Sequence, residues 1–482
     1  MREFGLYIDG DWEDAASAKT FEAIDPATGE AVARVAMGGA PDVDRAVAAA
    51  STAAAEWQAL PLRERARALY RFAEALLAEE DDLALLETLD AGGSLWYSHV
   101  TVKDIAARRF EYFAGLADKL EGQAIPVSPG HHVYTVREPL GVTAHIIPWN
   151  GPLWEASRSL APALAAGNAA ILKPAQEALL GAVRLGEIAK RAGMPDGLVN
   201  VVAGPGSEVG EALLKHPGVH SVTFTGSVAT GQRVMRAAAG TMKHVTLELG
   251  GNAANIVFED ADLEAAVEGS VWAGFSNAGQ ICVAGPRLLI QRGIRDEFLE
   301  RFVERVRSLS VGPGVDDAEM GPVVSESHMR KVLEMIEVGK AEGARLLTGG
   351  ERVTSGDLGR GYFIAPTVFD RVDNSMRVAR EEIFGPVVTA IDFDSEDEAV
   401  SIANDTEYGL ANGLWTTDLS RAHRVAAKLQ SGQVYVNEWF CGDISCPVGG
   451  YKVSGIGREE GQQALGNYTQ LKSVRIRTGG GW

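Results

Sequence analysis

The chain has 482 residues, a formal net charge of −20 and 46% hydrophobic residues, enough for roughly two to four domains around large buried cores. The negative charge opposes binding to nucleic acid and other polyanions. Three cysteines, Cys282, Cys441 and Cys446, cannot build a disulfide framework, and the lack of closely spaced Cys/His pairs argues against a metal site, so a reducing, cytoplasmic setting is expected.

In chain order, Met1-Arg2-Glu3-Phe4-Gly5-Leu6-Tyr7 has no apolar targeting core, and nowhere do about 18 uncharged apolar residues run together as a membrane span requires. Alanine-rich segments of helical period predict helices at Asp42 to Trp57 and Leu62 to Ala78. Apolar runs predict strands at Val142 to Ile147, Ala169 to Leu172, Leu198 to Val202 and Ser221 to Phe224, with a helix at Gly206 to Leu214. That alternation is the sign of βαβ units and a parallel sheet, hence an α/β fold. Two glycine turns follow strands, Gly204-Pro205-Gly206 and Gly226-Ser227, and a strand, a glycine turn and a helix N-terminus suit a pyrophosphate. The first turn fits the dinucleotide fingerprint imperfectly, because its third position is Val209, with Gly210 one beyond. Further on, Leu247-Glu248-Leu249-Gly250-Gly251-Asn252 offers a carboxylate base, and Gly279-Gln280-Ile281-Cys282 a thiol. A thiolate can attack a carbonyl, and the resulting thioester needs an activated water to release an acid. Finally, Tyr468 to Ile476 alternates in strand fashion.

Together with Pro148-Trp149-Asn150, Leu172-Lys173-Pro174, Phe224-Thr225-Gly226-Ser227, Glu381-Glu382-Ile383-Phe384-Gly385-Pro386 and Pro447-Val448-Gly449-Gly450-Tyr451-Lys452-Val453-Ser454-Gly455, these segments stand in the order found in aldehyde dehydrogenases. The chain resembles that superfamily, in its hydrolytic, NAD(P)-dependent type, over essentially its whole length. The resemblance implies a Rossmann-like dinucleotide-binding domain (residues 1–120 and 140–249), a second α/β catalytic domain (250–465) and a small β oligomerisation arm (121–139 and 466–482). It also implies a homodimer or homotetramer.

By the same resemblance, Cys282 is the nucleophile that forms a thiohemiacetal and then a thioester, Glu248 assists hydrolysis, and Asn150 donates to the oxyanion. Relatives that pass the acyl group to coenzyme A characteristically lack a glutamate at the position of Glu248, which makes that acceptor the lesser alternative. Cofactor contacts are implied for Ile146, Pro148, Trp149, Lys173, Gln176, Gly206, Gly226, Ser227, Glu382 and Phe384. Gln176 stands where NAD-preferring relatives have a ribose-binding glutamate; an amide tolerates NADP too, so both cofactors stay open, with NAD modestly favoured.

For the substrate, the resemblance implies that the helix after Asn150, with Trp154 and Arg158, and the loop after Asn437, with Trp439 and Phe440, flank the route to Cys282. The aromatics suit a planar aldehyde. Arg158 could clamp a substrate carboxylate, or pair with Glu155 three residues before it on one helix face. An aromatic aldehyde, with or without an acidic group, is the expectation, and an aliphatic semialdehyde of the succinic type the alternative.

Overall fold

The computed structural model describes residues 1–479; residues 480–482, the end of the expected arm, lie outside them. Strands Val142–Ile146 and Ala169–Lys173 are buried throughout, as continuous apolar runs in a sheet covered on both faces must be. They lie at the middle of an eight-stranded sheet. Its five parallel strands run, from one side to the other, His244–Glu248, Ser221–Thr225, Val142–Ile146, Ala169–Lys173 and Val199–Val201. Taken in chain order this is the doubly wound arrangement 3-2-1-4-5, whose winding reverses between Val142–Ile146 and Ser221–Thr225. In such sheets a crevice opens at the carboxyl ends of those two strands.

The predicted helices are present as Ala40–Ala59 and Leu62–Leu77. The first buries Val43, Ala46, Val47, Ala50, Ala53, Ala54 and Trp57 along one face. Trp57 closes its polar end by donating Nε1–H to Leu164 O at 2.9 Å. Helix Pro152–Ala165, which follows Asn150, is buried almost all round, and its small residues admit that close packing.

A second, seven-stranded sheet has the order Arg345–Thr348, Thr367–Asp370, Val387–Phe393, Arg287–Gln291, Ala254–Val257, Ala411–Trp415 and Gln433–Val436. All its pairings are parallel except that of Arg345–Thr348. The chain then crosses back: Gly455–Ile456 pairs antiparallel beside His244–Glu248, with Gly455 opposite Glu248. Ala464, Leu465 and Tyr468 enter the core of the first sheet.

Thr469–Arg477 pairs along its length with His131–Pro139, which also holds Ala124–Ile125, giving a three-stranded sheet. A further three-stranded sheet joins Arg2–Phe4, Ala31–Ala36 and Thr20–Ile24. Among the described residues no helix is long and apolar enough to cross a membrane.

Candidate active site

Cys282 follows a turn in which Asn277, Ala278 and Gly279 all have positive φ, of 49°, 53° and 72°. Such conformations cost non-glycine residues roughly 1–3 kcal/mol each and persist only where the surroundings over-determine them. Here they do. The fully buried Gln280 side chain donates to Asn277 O at 3.0 Å and accepts from Val324 N at 2.9 Å. A side chain at Gly279 would strike the carbonyl oxygen of Gly385, and one at Gly251 that of Cys282. Asn150 donates Nδ2–H to Gln280 O at 3.0 Å, which leaves its second amide hydrogen free.

Cys282, Glu248 and Asn150 line one cavity of about 460 Å³. Burial, then the negative charge of Glu155, pushes the half-buried Cys282 thiol up to about 12, with Glu382 and Glu248 adding to the rise and Arg158 opposing it. Glu248, at the end of strand His244–Glu248, is buried and its Oε1 has no hydrogen-bond partner. Burial, and after it the facing carboxylate of Glu459, holds Glu248 well above the usual carboxylate range. Both groups therefore hold their protons more tightly than they would in water.

Arg158 is almost fully buried on the wall of the cavity. Its guanidinium pairs with Glu155 at 2.5 Å and with Glu459, and donates to Thr225 Oγ1 at 3.2 Å. Its charge is thus taken up inside the chain, by the i, i+3 partner and by a second one. The other two arginines of the cavity are also committed, Arg108 to Asp443 and Arg109 to Glu460.

The walls are aromatic. Trp154 stacks nearly parallel to Tyr97, with ring centres 6.4 Å apart, and the guanidinium of Arg109 lies 4.8 Å from the Trp154 ring. Arg109 also donates to Trp154 O at 2.6 Å and Ser157 Oγ at 3.1 Å, which fixes that wall. Trp439 lines the cavity but is 3% exposed and belongs to a small core with Tyr435, its Nε1–H bonded to Val283 O at 3.1 Å. It is a backing residue more than half of a sandwich. Phe440 stands edge-to-face against Trp272 and also lines the cavity.

Most of the other predicted residues stand at or just after the carboxyl ends of strands in the first sheet. Ile146 ends one strand, Pro148 and Trp149 follow it, and Gly226 and Ser227 follow its neighbour. Ser227 caps helix Val228–Ala239, whose first turn carries no acidic residue, so its positive end is unopposed. Gly206 and Gly210 leave open space where a Cβ would stand. Lys173 ends its strand buried, with its Nζ on Pro174 O at 2.9 Å; burial lowers it to about 8. Gln176 is half-buried beside the exposed Glu177. At the far end, Glu382 accepts from Gly251 N at 2.9 Å, and burial pushes its carboxyl up to about 7. Phe384, with φ of +57°, meets Trp149 edge-to-face at 5.4 Å. The donor set, open glycines and helix end fit a ribose- and phosphate-bearing cofactor.

Sequence reasoning missed Tyr97, Trp272, Tyr435, Arg109 and Glu459, which carry no motif of their own. It also missed His328, whose Nε2–H donates to Phe384 O at 2.7 Å while burial keeps the ring below its ordinary value and hence neutral. Glu459 lies four residues past the Gly455 that ends the last quoted motif, and that proximity was its only signal.

The sequence pattern of the aldehyde dehydrogenase family matches residues 12–474. Among solved structures, a candidate aldehyde dehydrogenase from Burkholderia cenocepacia is 44% identical, with a TM-score of 0.97 over 99% of this chain and 98% of that one. A betaine aldehyde dehydrogenase from Staphylococcus aureus in complex with NAD+ is 41% identical, with a TM-score of 0.97 over 99% of this chain and 95% of that one. A point mutant of that enzyme, with NAD+ and a BME-modified cysteine, is 40% identical, with a TM-score of 0.97 over 100% of this chain and 99% of that one.

Proposed function

The chain belongs to the aldehyde dehydrogenase family, and from that premise we propose that it oxidises an aldehyde to the free carboxylic acid, with NAD favoured over NADP. The observation that carries this reading is the convergence of Cys282, Glu248 and Asn150, from three separate segments, on one aromatic-walled cavity. The Staphylococcus aureus relatives solved with NAD+ support the choice of cofactor. So does Glu177, whose carboxylate near Lys173 would repel a 2′-phosphate.

Cys282 Sγ attacks the aldehyde carbon as its proton passes to the carboxylate form of Glu248, whose Oε1 has no other partner. The free amide hydrogen of Asn150 and the backbone N–H of Cys282 hold the developing oxyanion, a contribution of about 3–4 kcal/mol per donor in comparable sites. The nicotinamide, when bound, takes the hydride from the thiohemiacetal carbon, leaving a thioester on Cys282. Lys173, Glu382 and Phe384 orient the cofactor, the first two through its ribose hydroxyls. After losing its first proton to cavity water, Glu248 takes another from the water that attacks the thioester. Its presence favours water over coenzyme A as acceptor.

For the substrate we favour an uncharged aromatic aldehyde, lodged among Trp154, Tyr97, Trp272, Tyr435 and Phe440. A carboxylated benzaldehyde or a succinic-type semialdehyde fits less well, because Arg108, Arg109 and Arg158 are each paired and further carboxylates line the cavity. One observation favours a second reading. Aromatic faces beside Glu438 also suit a small cationic aldehyde, the class of the betaine aldehyde named for the Staphylococcus aureus enzymes. The three-stranded arm would mediate assembly into a dimer or tetramer.

Initial rates with NAD and with NADP across benzaldehyde, carboxybenzaldehydes, succinic semialdehyde, betaine aldehyde and straight-chain aldehydes test the proposal. Highest kcat/KM for benzaldehyde is expected. Betaine aldehyde in first place selects the second reading, and absence of aldehyde oxidation overturns both.

A further inference from the structure

Around the base of the cavity lie three buried carboxylates, Glu155, Glu248 and Glu459, of which the first and the last pair with one guanidinium, that of Arg158. Three elements other than its own helix converge on Arg158. Strand Ser221–Thr225 supplies Thr225, the segment after Gly455 supplies Glu459, and strand His244–Glu248 ends on Glu248. The first of these runs directly into the Gly226 turn of the cofactor crevice, and the last bears the proposed base. We propose that the Glu155–Arg158–Glu459 ion cluster is a positioning device for proton transfer at Cys282 and Glu248, with Arg158 as a positioning residue and not a substrate contact. This rests on the reading of Cys282 as nucleophile and Glu248 as base.

Burying three carboxylates beside a thiol is costly unless positive charge accompanies them. Arg158 forms ion pairs with Glu155 and Glu459 and none with Glu248, whose Oε1 has no hydrogen-bond partner; burial raises the carboxyls of both Glu248 and Glu459 above the usual carboxylate range. The charged groups facing Glu248 are Glu459, Arg158, Glu155 and Arg458. Those facing Cys282 are Glu155, Arg158, Glu382 and Glu248. Arg158 eases deprotonation of both groups, and Glu155 hinders it in both. The two members of one ion pair therefore act with opposite sign on the same two protons.

The test uses the alkylation of Cys282 by iodoacetamide as a function of pH, followed by peptide mass spectrometry, which needs no aldehyde turnover. Arg158→Gln is expected to move the profile to higher pH and to slow alkylation roughly fivefold at pH 8, the size of one unit charge removed at contact distance in a wet cavity. Glu155→Gln is expected to move it to lower pH, and Arg158→Lys to leave it near wild type. In kcat against pH, measured on an active aldehyde, the same displacements should appear. Unmoved profiles in folded variants, or displacements of equal sign, overturn the proposal. So does a KM increase confined to carboxylated aldehydes in Arg158→Gln with its pH profile unmoved, which would make Arg158 a substrate contact. If Arg158→Gln fails to fold, the Glu155→Gln displacement alone decides. Aldehyde-inactive wild-type enzyme with displaced alkylation profiles would instead leave the cluster in place and sink the functional reading.

Discussion

The floor of the cavity and the three-stranded sheet at the chain end are completed in different ways. Beneath Cys282, Gln280 is held by Val324 and bonds Asn277, Asn150 bonds the Gln280 carbonyl, and Arg158 binds two carboxylates. In the sheet of Thr469–Arg477, His131–Pro139 and Ala124–Ile125 the backbone is paired, yet Leu471 is 62% exposed, and Ile476 and Ile125 are exposed as well. One region finds its partners within the chain, and the other presents apolar side chains and strand edges to its surroundings. Exposed apolar strands of this kind are the sort that another surface commonly covers, and on the proposed reading that surface is a second copy of the chain.

Substitutions at the floor should therefore abolish chemistry while sparing assembly. Cys282→Ala is expected to lower turnover by about 10⁴-fold or more with unfolding temperature retained, read from initial rates and a thermal melt. Substantial residual turnover would remove Cys282 from its role. Glu248→Gln is expected to cost roughly 10²–10⁴-fold and to leave an acyl mass on Cys282 in the intact protein. Unslowed release of acid would dismiss it as the base. Asn150→Ala should cost about 10²–10³-fold in kcat, the loss of one oxyanion donor, with KM moved less.

Wild-type turnover should rise from about pH 7 toward pH 9, since Cys282 and Glu248 are both held above their ordinary values and each must give up a proton to work. A rate falling over that range would contradict the site. The smallest effect on chemistry is expected at the arm. Leu471→Glu with Ile476→Glu should change the stability of the single chain by no more than about 0.5 kcal/mol and weaken self-association in light scattering. An unchanged assembly would erase the contrast between the two regions.

Much of this was legible in the sequence because the signals are local. The helices at Ala40–Ala59 and Leu62–Leu77 and the strands at Val142–Ile146, Ala169–Lys173, Val199–Val201 and Ser221–Thr225 lie within a few residues of where periodicity puts them. Glu155 as a partner of Arg158 follows from helical spacing alone. Its second partner does not. Glu459 arrives from the far end of the chain through the pairing of Gly455 with Glu248, and no spacing rule joins positions so distant. The same holds for the reversal of strand order that opens the crevice, and for the left-handed Asn277 and Ala278, whose side chains do not demand that conformation but whose surroundings impose it. Trp439 was misleading for a related reason. Its aromatic character is visible, but its packing against Tyr435 and bonding to Val283 are tertiary facts.

The return of Gly455–Ile456 to the edge of the first sheet also bears on biosynthesis. Strand His244–Glu248 emerges about midway through a 482-residue chain, while the pieces that cover its edge and fill the core beneath it emerge near the end. A ribosome-bound chain thus carries strand His244–Glu248 with a bare edge for much of its synthesis. At roughly 5–20 residues per second that interval lasts on the order of ten seconds or more, in which an unpaired strand invites wrong partners. The cover for this edge thus arrives long after the strand itself, and the half-made protein is expected to be the form most in need of a chaperone.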